Sequence, residues 1–270
     1  MANETQIRRP AVAGQFYPAG AGELRALVDE MLAGTGEADG APPKAVIAPH
    51  AGFMFSGAVA ATAYARLAPA RGRIERVIVL GPSHFVPVRG LAASSATNFA
   101  TPLGDLAVDS AAMDTALAQP GVDVVDRAHG REHSIETQLP FIQRLLGDIS
   151  IVPLVVGDAS ADEVGAVLSA LWGGPETAIA ISSDLSHFHP DATARDLDAA
   201  TARAIEALNA SEIGPGNACG FLPIAGLLWN AARREARMQT LQLANSADAG
   251  APPESVVGYG AFTLHEEMTA

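Results

Sequence analysis

The chain has 270 residues, 49% hydrophobic and 17% charged, with a mean hydropathy of +0.19; such a composition can bury a large core, which excludes disorder as the overall state. Lys+Arg 17 against Asp+Glu 30 leaves a net charge of −13, and a surface of that sign repels phosphate backbones and anionic lipid, so neither nucleic acid nor a membrane surface is expected as a partner. The single cysteine cannot form an internal disulfide, a Cys-rich zinc finger or a Cys-ligated iron–sulfur cluster.

Hydrophobic periodicity along the chain predicts alternating helices and strands. Gly22–Leu32 spaces its apolar positions by three and four, as an amphipathic helix does. A loop rich in Gly and Pro comes next, then the short apolar run Ala45–Ala48 and the alanine-rich helix Gly57–Leu67. Val77–Leu80 is too short and too β-branched for a helix and reads as a strand. Arg89–Val108 reads as an inserted hairpin or loop. Ser110–Ala118 and Ile135–Leu146 are predicted helices and Ile149–Val156 a buried strand. Helix Asp162–Leu171, strand Thr177–Ser182, helices Asp196–Asn209 and Ile224–Glu235, and strand Met238–Leu243 complete the series. This alternation predicts an α/β fold, a mainly parallel sheet with helices on both faces. No repeat or linker divides the chain, so one domain over 1–270 is expected. Residues Met1–Pro10 carry charge and no apolar stretch, so no signal peptide is expected. Every long apolar segment is broken short of the ~18 residues of a membrane span, and a cytoplasmic location is the resulting expectation.

The turns that close the strands hold the unusual residues. Ala45–Ala48 runs into Pro49-His50, Val77–Leu80 into Gly81-Pro82-Ser83-His84, Thr177–Ile181 into Ser182-Ser183-Asp184-Leu185-Ser186-His187, and Met238–Leu243 into Ala244-Asn245-Ser246-Ala247-Asp248. In an open α/β sheet the ligand crevice lies beyond the carboxyl ends of the strands. His50, His84, His187 and Asp248 are therefore expected at one edge, the ingredients of a 2-His-1-carboxylate metal site with open positions. Gly52 and Gly81 suit the close backbone approach of a crowded site.

A further cluster, Arg131-Glu132-His133-Ser134-Ile135-Glu136, stands at the start of a predicted helix. There Glu132 and Glu136 either complement the helix dipole, with Ser134 capping the first turn, or take part in a site, Glu136 sharing a helix face with His133 at i, i+3. His133 contributes least to a cap and is assigned to the site. His189 is expected to point away, His129 to lie in a surface loop and His265 in the C-terminal tail. Cys219 reads as a small buried hydrophobe without a nearby base, and Tyr17 as packing against the domain.

Taken together, these segments resemble the Memo family. The resemblance rests on Arg9-Pro10-Ala11-Val12-Ala13-Gly14-Gln15-Phe16-Tyr17-Pro18, Ala48-Pro49-His50-Ala51-Gly52-Phe53 with Ser56-Gly57, and Gly81-Pro82-Ser83-His84. It continues through Glu132-His133-Ser134-Ile135-Glu136 with Leu139-Pro140-Phe141, Ser182 to His187, and Asn245-Ser246 with Val257-Gly258-Tyr259. Prokaryotic members are known as AmmeMemoRadiSam system protein B, which implies AMMECR-type and radical SAM protein partners. The family's fold resembles that of the class III extradiol dioxygenases, which hold a non-haem iron at a strand edge. By that resemblance His50 and His84 are metal ligands, and His133 and His187 are pocket histidines able to serve as catalytic acid/base. The third ligand of those enzymes is a glutamate, and Asp248 is the acidic residue nearest its position.

The leading expectation is thus a Memo-family, metal-binding oxidoreductase of extradiol-dioxygenase type, with Fe(2+) as cofactor (Zn(2+) or another divalent metal as alternatives) and an unidentified small-molecule substrate. Ring cleavage cannot be inferred from fold, because function lives in the site. The competing expectation is a binding or scaffold protein that keeps the fold without turnover. A zinc hydrolase fits His-rich ligation, but no Ser or Glu base motif supports it.

Overall fold

The computed structural model describes residues 6–36 and 40–266. Its strands are β1 (Ile7–Arg8), β2 (Ala45–Ala48), β3 (Arg76–Pro82), β4 (Leu91–Ala93), β5 (Asn98–Thr101), β6 (Gly104–Val108), β7 (Val122–Val124), β8 (Ser150–Val156), β9 (Thr177–Ser182), β10 (His187–His189), β11 (Arg237–Asn245) and β12 (Val256–His265). The α-helices are α1 (Ala21–Ala33), α2 (Phe53–Ala65), α3 (Ser110–Leu117), α4 (Asp126–Gly130), α5 (Leu139–Leu146), α6 (Ala161–Leu171), α7 (Asp191–Glu206) and α8 (Phe221–Arg233).

One sheet joins the strands in the order β1-β5-β6-β8-β3-β9-β2-β12-β10. Its centre, β6-β8-β3-β9-β2, is parallel throughout. These strands are continuous apolar runs because helices cover both faces. Alternation of side chains across the pleat divides them between two cores. Val46, Ala48, Val77 and Val79 pack with α1, α2 and α5 on one face, whereas Ala45, Ile47, Ile78 and Leu80 pack with α3, α6, α7 and α8 on the other. No helix among the described residues is long and apolar enough to cross a membrane.

The sheet is parallel through its centre, as the sequence predicts, and antiparallel on the β12 side and in the β5–β6 hairpin. β12, absent from the predicted elements, runs antiparallel to both β2 and β11. Its glycines disguise the strand pattern, and close approach requires them: a Cβ on Gly258 would lie 1.9 Å from Asp198 Oδ2, and one on Gly260 2.4 Å from the Phe262 ring. Arg89–Val108 resolves into β4 and the β5–β6 hairpin. The helix predicted over Ile135–Leu146 divides into a 3-10 turn, Glu136–Gln138, and α5, with Pro140 in its first turn. His129 is buried in α4 rather than lying in a surface loop, and His265 ends β12 rather than belonging to a tail.

Candidate metal centre

β2, β9 and β3 are adjacent, parallel and in register, so their carboxyl ends open on one edge. The turn after β2 delivers His50 and the turn after β3 delivers His84, with Ser182, the last residue of β9, between them. The 131–135 segment supplies His133. One ring nitrogen from each of His50, His84 and His133 falls within 4.8 Å of the others. His84 and His133 are stacked with centroids 4.9 Å apart at 16°, and His50 meets both edge-on at 5.2 and 5.5 Å.

The hydrogen-bond network fixes the tautomers of two rings. Ser182 Oγ donates to the Ser134 carbonyl at 2.5 Å and lies 2.8 Å from His50 Nδ1. A hydroxyl has one proton, so His50 Nδ1–H must donate to Ser182 and Nε2 keeps its lone pair. Gln138 Nε2 also donates to Ser182 at 3.0 Å and to the Pro49 carbonyl at 3.0 Å, while Tyr64 donates to Gln138 Oε1. His84 Nδ1–H donates to Glu132 Oε1 at 2.9 Å. Glu132 also accepts from the amides of His84 (2.7 Å), His133 (3.0 Å) and Ser134 (2.9 Å). Burial disfavours its charge, but these bonds and the His84 ring prevail and bring its pKa down to about 2. Glu132 is therefore an ionised carboxylate one hydrogen bond behind His84. Gly81 makes the arrangement possible, since a Cβ there would strike Ser134 Oγ at 2.5 Å; at Gly52 the nearest neighbour would be 3.7 Å away, so space does not require glycine there.

Burial pushes the pKa of His50 well down, assisted by His84 and His133, and burial lowers His133 as well. Both rings are thus kept neutral, the form that binds a metal. His133 Nδ1 is buried without a hydrogen-bond partner among the described residues. His50 and His133 held neutral, His50 and His84 with Nδ1 protons committed elsewhere, and one ring nitrogen of each of the three gathered together fit a divalent metal ion.

The other site residues expected from the sequence fall differently. The group includes His133, which the sequence reading assigned to acid/base work, and it does not include Asp248, the expected third ligand. β11 and β12 form a ribbon that continues past the last paired residues of β2, carrying Asp248 out into a 3-10 turn at its tip. There Asp248 accepts from the Asn245 amide at 2.8 Å in a capping box and from Arg195 Nη2 at 2.7 Å, with 44% of its side chain exposed. His187 begins β10, half-buried. Its Nδ1–H donates to the Leu185 carbonyl at 2.8 Å, and a charge on its ring bears on both His50 and Asp184.

Asp184, Ser182 and Gln138 are the participants that the sequence reading missed, and Glu132 is one whose role it left open. Asp184 Oδ1 accepts the His50 amide at 2.7 Å, and burial pushes the Asp184 carboxyl up. Cys219 is not merely core: its Sγ lies 3.3 Å from His50 Nε2 and accepts the Asp184 amide at 3.3 Å. Burial pushes its thiol up to about 12, so it stays protonated. Glu136 lies outside the site and clamps the N-terminal segment, accepting from Arg8, the Ala11 and Val12 amides and the Tyr17 hydroxyl. That clamp sets Phe16 edge-on to His133 at 4.8 Å, with Phe85 on the same ring at 5.8 Å.

The chain is similar to a solved structure, uncharacterized protein JW3007 from Escherichia coli K12, with a TM-score of 0.52 and 14% identity over 81% of this chain and 98% of that one. A likeness at that identity concerns the fold alone. Among curated relatives, a MEMO1 family protein of Aquifex aeolicus is 35% identical over 212 residues, 77% of this chain and 78% of its own. One from Methanosarcina mazei is 34% identical over 272 residues, 96% and 99% of the two chains. Another from Nitrosopumilus maritimus is 30% identical over 273 residues, 95% and 98%. The family model described as "Memo-like protein" matches residues 8–263, and on these grounds the chain belongs to the Memo family.

Proposed function

We propose that the protein is a non-haem iron oxidoreductase of extradiol-dioxygenase type, with His50, His84 and His133 holding the metal and His187 moving a proton of a small-molecule substrate. One observation carries the reading: the Nδ1 protons of His50 and His84 are committed to Ser182 and Glu132, which leaves their other ring nitrogens as donors in a group that one ring nitrogen of His133 completes. The site's place beyond the ends of parallel strands agrees with a class III extradiol dioxygenase-like fold. Bound there, ferrous iron would supply Lewis acidity and positions for substrate oxygen and dioxygen. Glu132 supplies through His84 a negative charge that the three ligating imidazoles do not themselves carry. Phe16 and Phe85 exclude water from the His133 side. His187, with Nδ1–H held by the Leu185 carbonyl, presents Nε2 as the atom that takes the proton of a substrate hydroxyl.

The test is metal analysis of protein purified without oxygen, then oxygen uptake with catechol. The reading expects near-stoichiometric iron in the wild type, most of it lost in His50→Ala and His84→Ala. His133→Ala should lose at least about ten-fold in affinity. Unchanged metal content in all three variants would refute the site. Bound metal without oxygen consumption would favour a non-catalytic scaffold acting with AMMECR-type and radical SAM proteins.

A further inference from the structure

Beside the histidines lies a cavity of about 310 Å³ whose walls include Val86, Val88, Val156, Phe221, Leu222 and Pro223. Two lining residues tie it to the site. Ser83 directly precedes His84, and Cys219 lies between the cavity and His50, with Sγ 3.3 Å from His50 Nε2. Only one side chain therefore separates the cavity from a metal-binding nitrogen.

The walls offer a ligand little to hydrogen-bond. Ser83 donates its hydroxyl to the Val86 carbonyl at 2.6 Å, and its amide is taken by the Val156 carbonyl at 2.9 Å. The Gly157 and Asp158 amides are taken by the Gly90 and Val88 carbonyls at 2.9 and 2.8 Å. The Cys219 sulfur already accepts the Asp184 amide. The remaining charged group, Asp158, is exposed, and it would repel an anionic substituent. The floor is also stiff: a Cβ on Gly157 would strike the Val88 carbonyl oxygen at 2.2 Å, so these backbones are in direct contact. A stiff cavity with most of its polar groups already bonded and walls that are largely hydrocarbon selects an uncharged apolar group of limited size.

We infer that this cavity receives an apolar arm of the substrate, so that the protein acts on molecules with a metal-chelating head and a hydrocarbon substituent. The inference rests on the metal-centre reading. It makes Leu222, half-buried on the cavity wall in the first turn of α8, a residue that determines specificity.

The experiment uses Zn(II)-loaded protein and two hydroxamic acids with the same chelating head, acetohydroxamate and hexanohydroxamate, with binding measured by calorimetry. The longer arm should bind at least about ten-fold more tightly to wild type, the return expected from burying several methylene groups. Leu222→Trp, which fills the cavity, should abolish that preference and leave acetohydroxamate affinity within about two-fold, and xenon pressurised into crystals should occupy the cavity in wild type and not in the variant. Equal binding of the two probes by wild type, or a preference that survives in a folded Leu222→Trp protein, overturns the inference alone. Failure of acetohydroxamate to bind, or equal binding by metal-free protein, overturns the metal-centre reading and this inference with it.

Discussion

Replacing Glu132 by Gln keeps its shape and removes its charge, which isolates what that carboxylate does. Oε1 accepts three N–H groups, from His84 Nδ1 and the His133 and Ser134 amides, and Oε2 accepts the His84 amide. A glutamine has one acceptor oxygen, so its least costly pose keeps that oxygen at the Oε1 position. Its NH₂ then faces the His84 amide, donor against donor. Leaving a buried donor unpaired costs about 1–3 kcal/mol, and weakening three charge-assisted bonds to neutral ones adds about as much again. We therefore expect Glu132→Gln to lose about 4 kcal/mol of stability in urea unfolding at pH 7. Metal affinity should fall about 10–100-fold, because His84 is no longer oriented or polarised by an anion. Zn(II) titration against a competing chelator measures this. A folded Glu132→Gln protein that binds Zn(II) as tightly as wild type, while His84→Ala does not, would refute the assignment of Glu132.

His129 is buried and burial pushes its pKa down to about 4 from 6.5; as pH falls below 6.5 the unfolded chain takes up a proton that the folded chain does not, so stability decreases with acidification. The single-residue contribution between pH 7 and 4.5 is about 2 kcal/mol, and His129→Gln should remove that much of the pH dependence of unfolding; an unaltered pH dependence would contradict the burial argument. Asp248→Asn should bind metal as wild type does and lose only about 0.5–1 kcal/mol with its capping box; a ten-fold drop in Zn(II) affinity would restore Asp248 as a ligand. Glu136→Gln should cost about 3–5 kcal/mol by removing the carboxylate that pairs with the buried Arg8 guanidinium, whose other bonds go to the His129 and Glu132 carbonyls, and should speed proteolysis of the N-terminal segment, whereas unchanged proteolysis would show that the clamp does not hold that segment.

Much of the sheet was legible because its central strands announce themselves. Val77–Leu80, Ile149–Val156 and Thr177–Ser182 are β-branched apolar runs too short for helices, and a parallel sheet buried on both faces requires such runs. His50 and His84 come with that reading, since their place depends only on strand direction. Glu132 does not: a carboxylate near a helix start looks the same in sequence whether it serves the dipole or a histidine 48 positions away. The placement of Asp248 beside Arg195 is not legible, because strand direction alone does not tell how far a ribbon overhangs its sheet. The pattern Asn245-x-x-Asp248 was nevertheless a capping box, a local use of the carboxylate that competes with ligation. β12 escaped because its glycines serve close packing rather than a strand pattern.

The bond network around His50 joins parts of the chain that are far apart in sequence. Ser182 meets His50 across 132 positions and Ser134 across 48, so the three segments converge only when the central strands have assembled. A partly folded chain therefore holds no preformed copy of the site and gains nothing from scavenging metal. Occupancy should act as a latch on the whole cooperative unit, raising global unfolding free energy by RT ln(1 + [M]/Kd). Amide exchange should slow together in β2, β3 and β9 on metal addition, instead of only in the turns that carry the histidines.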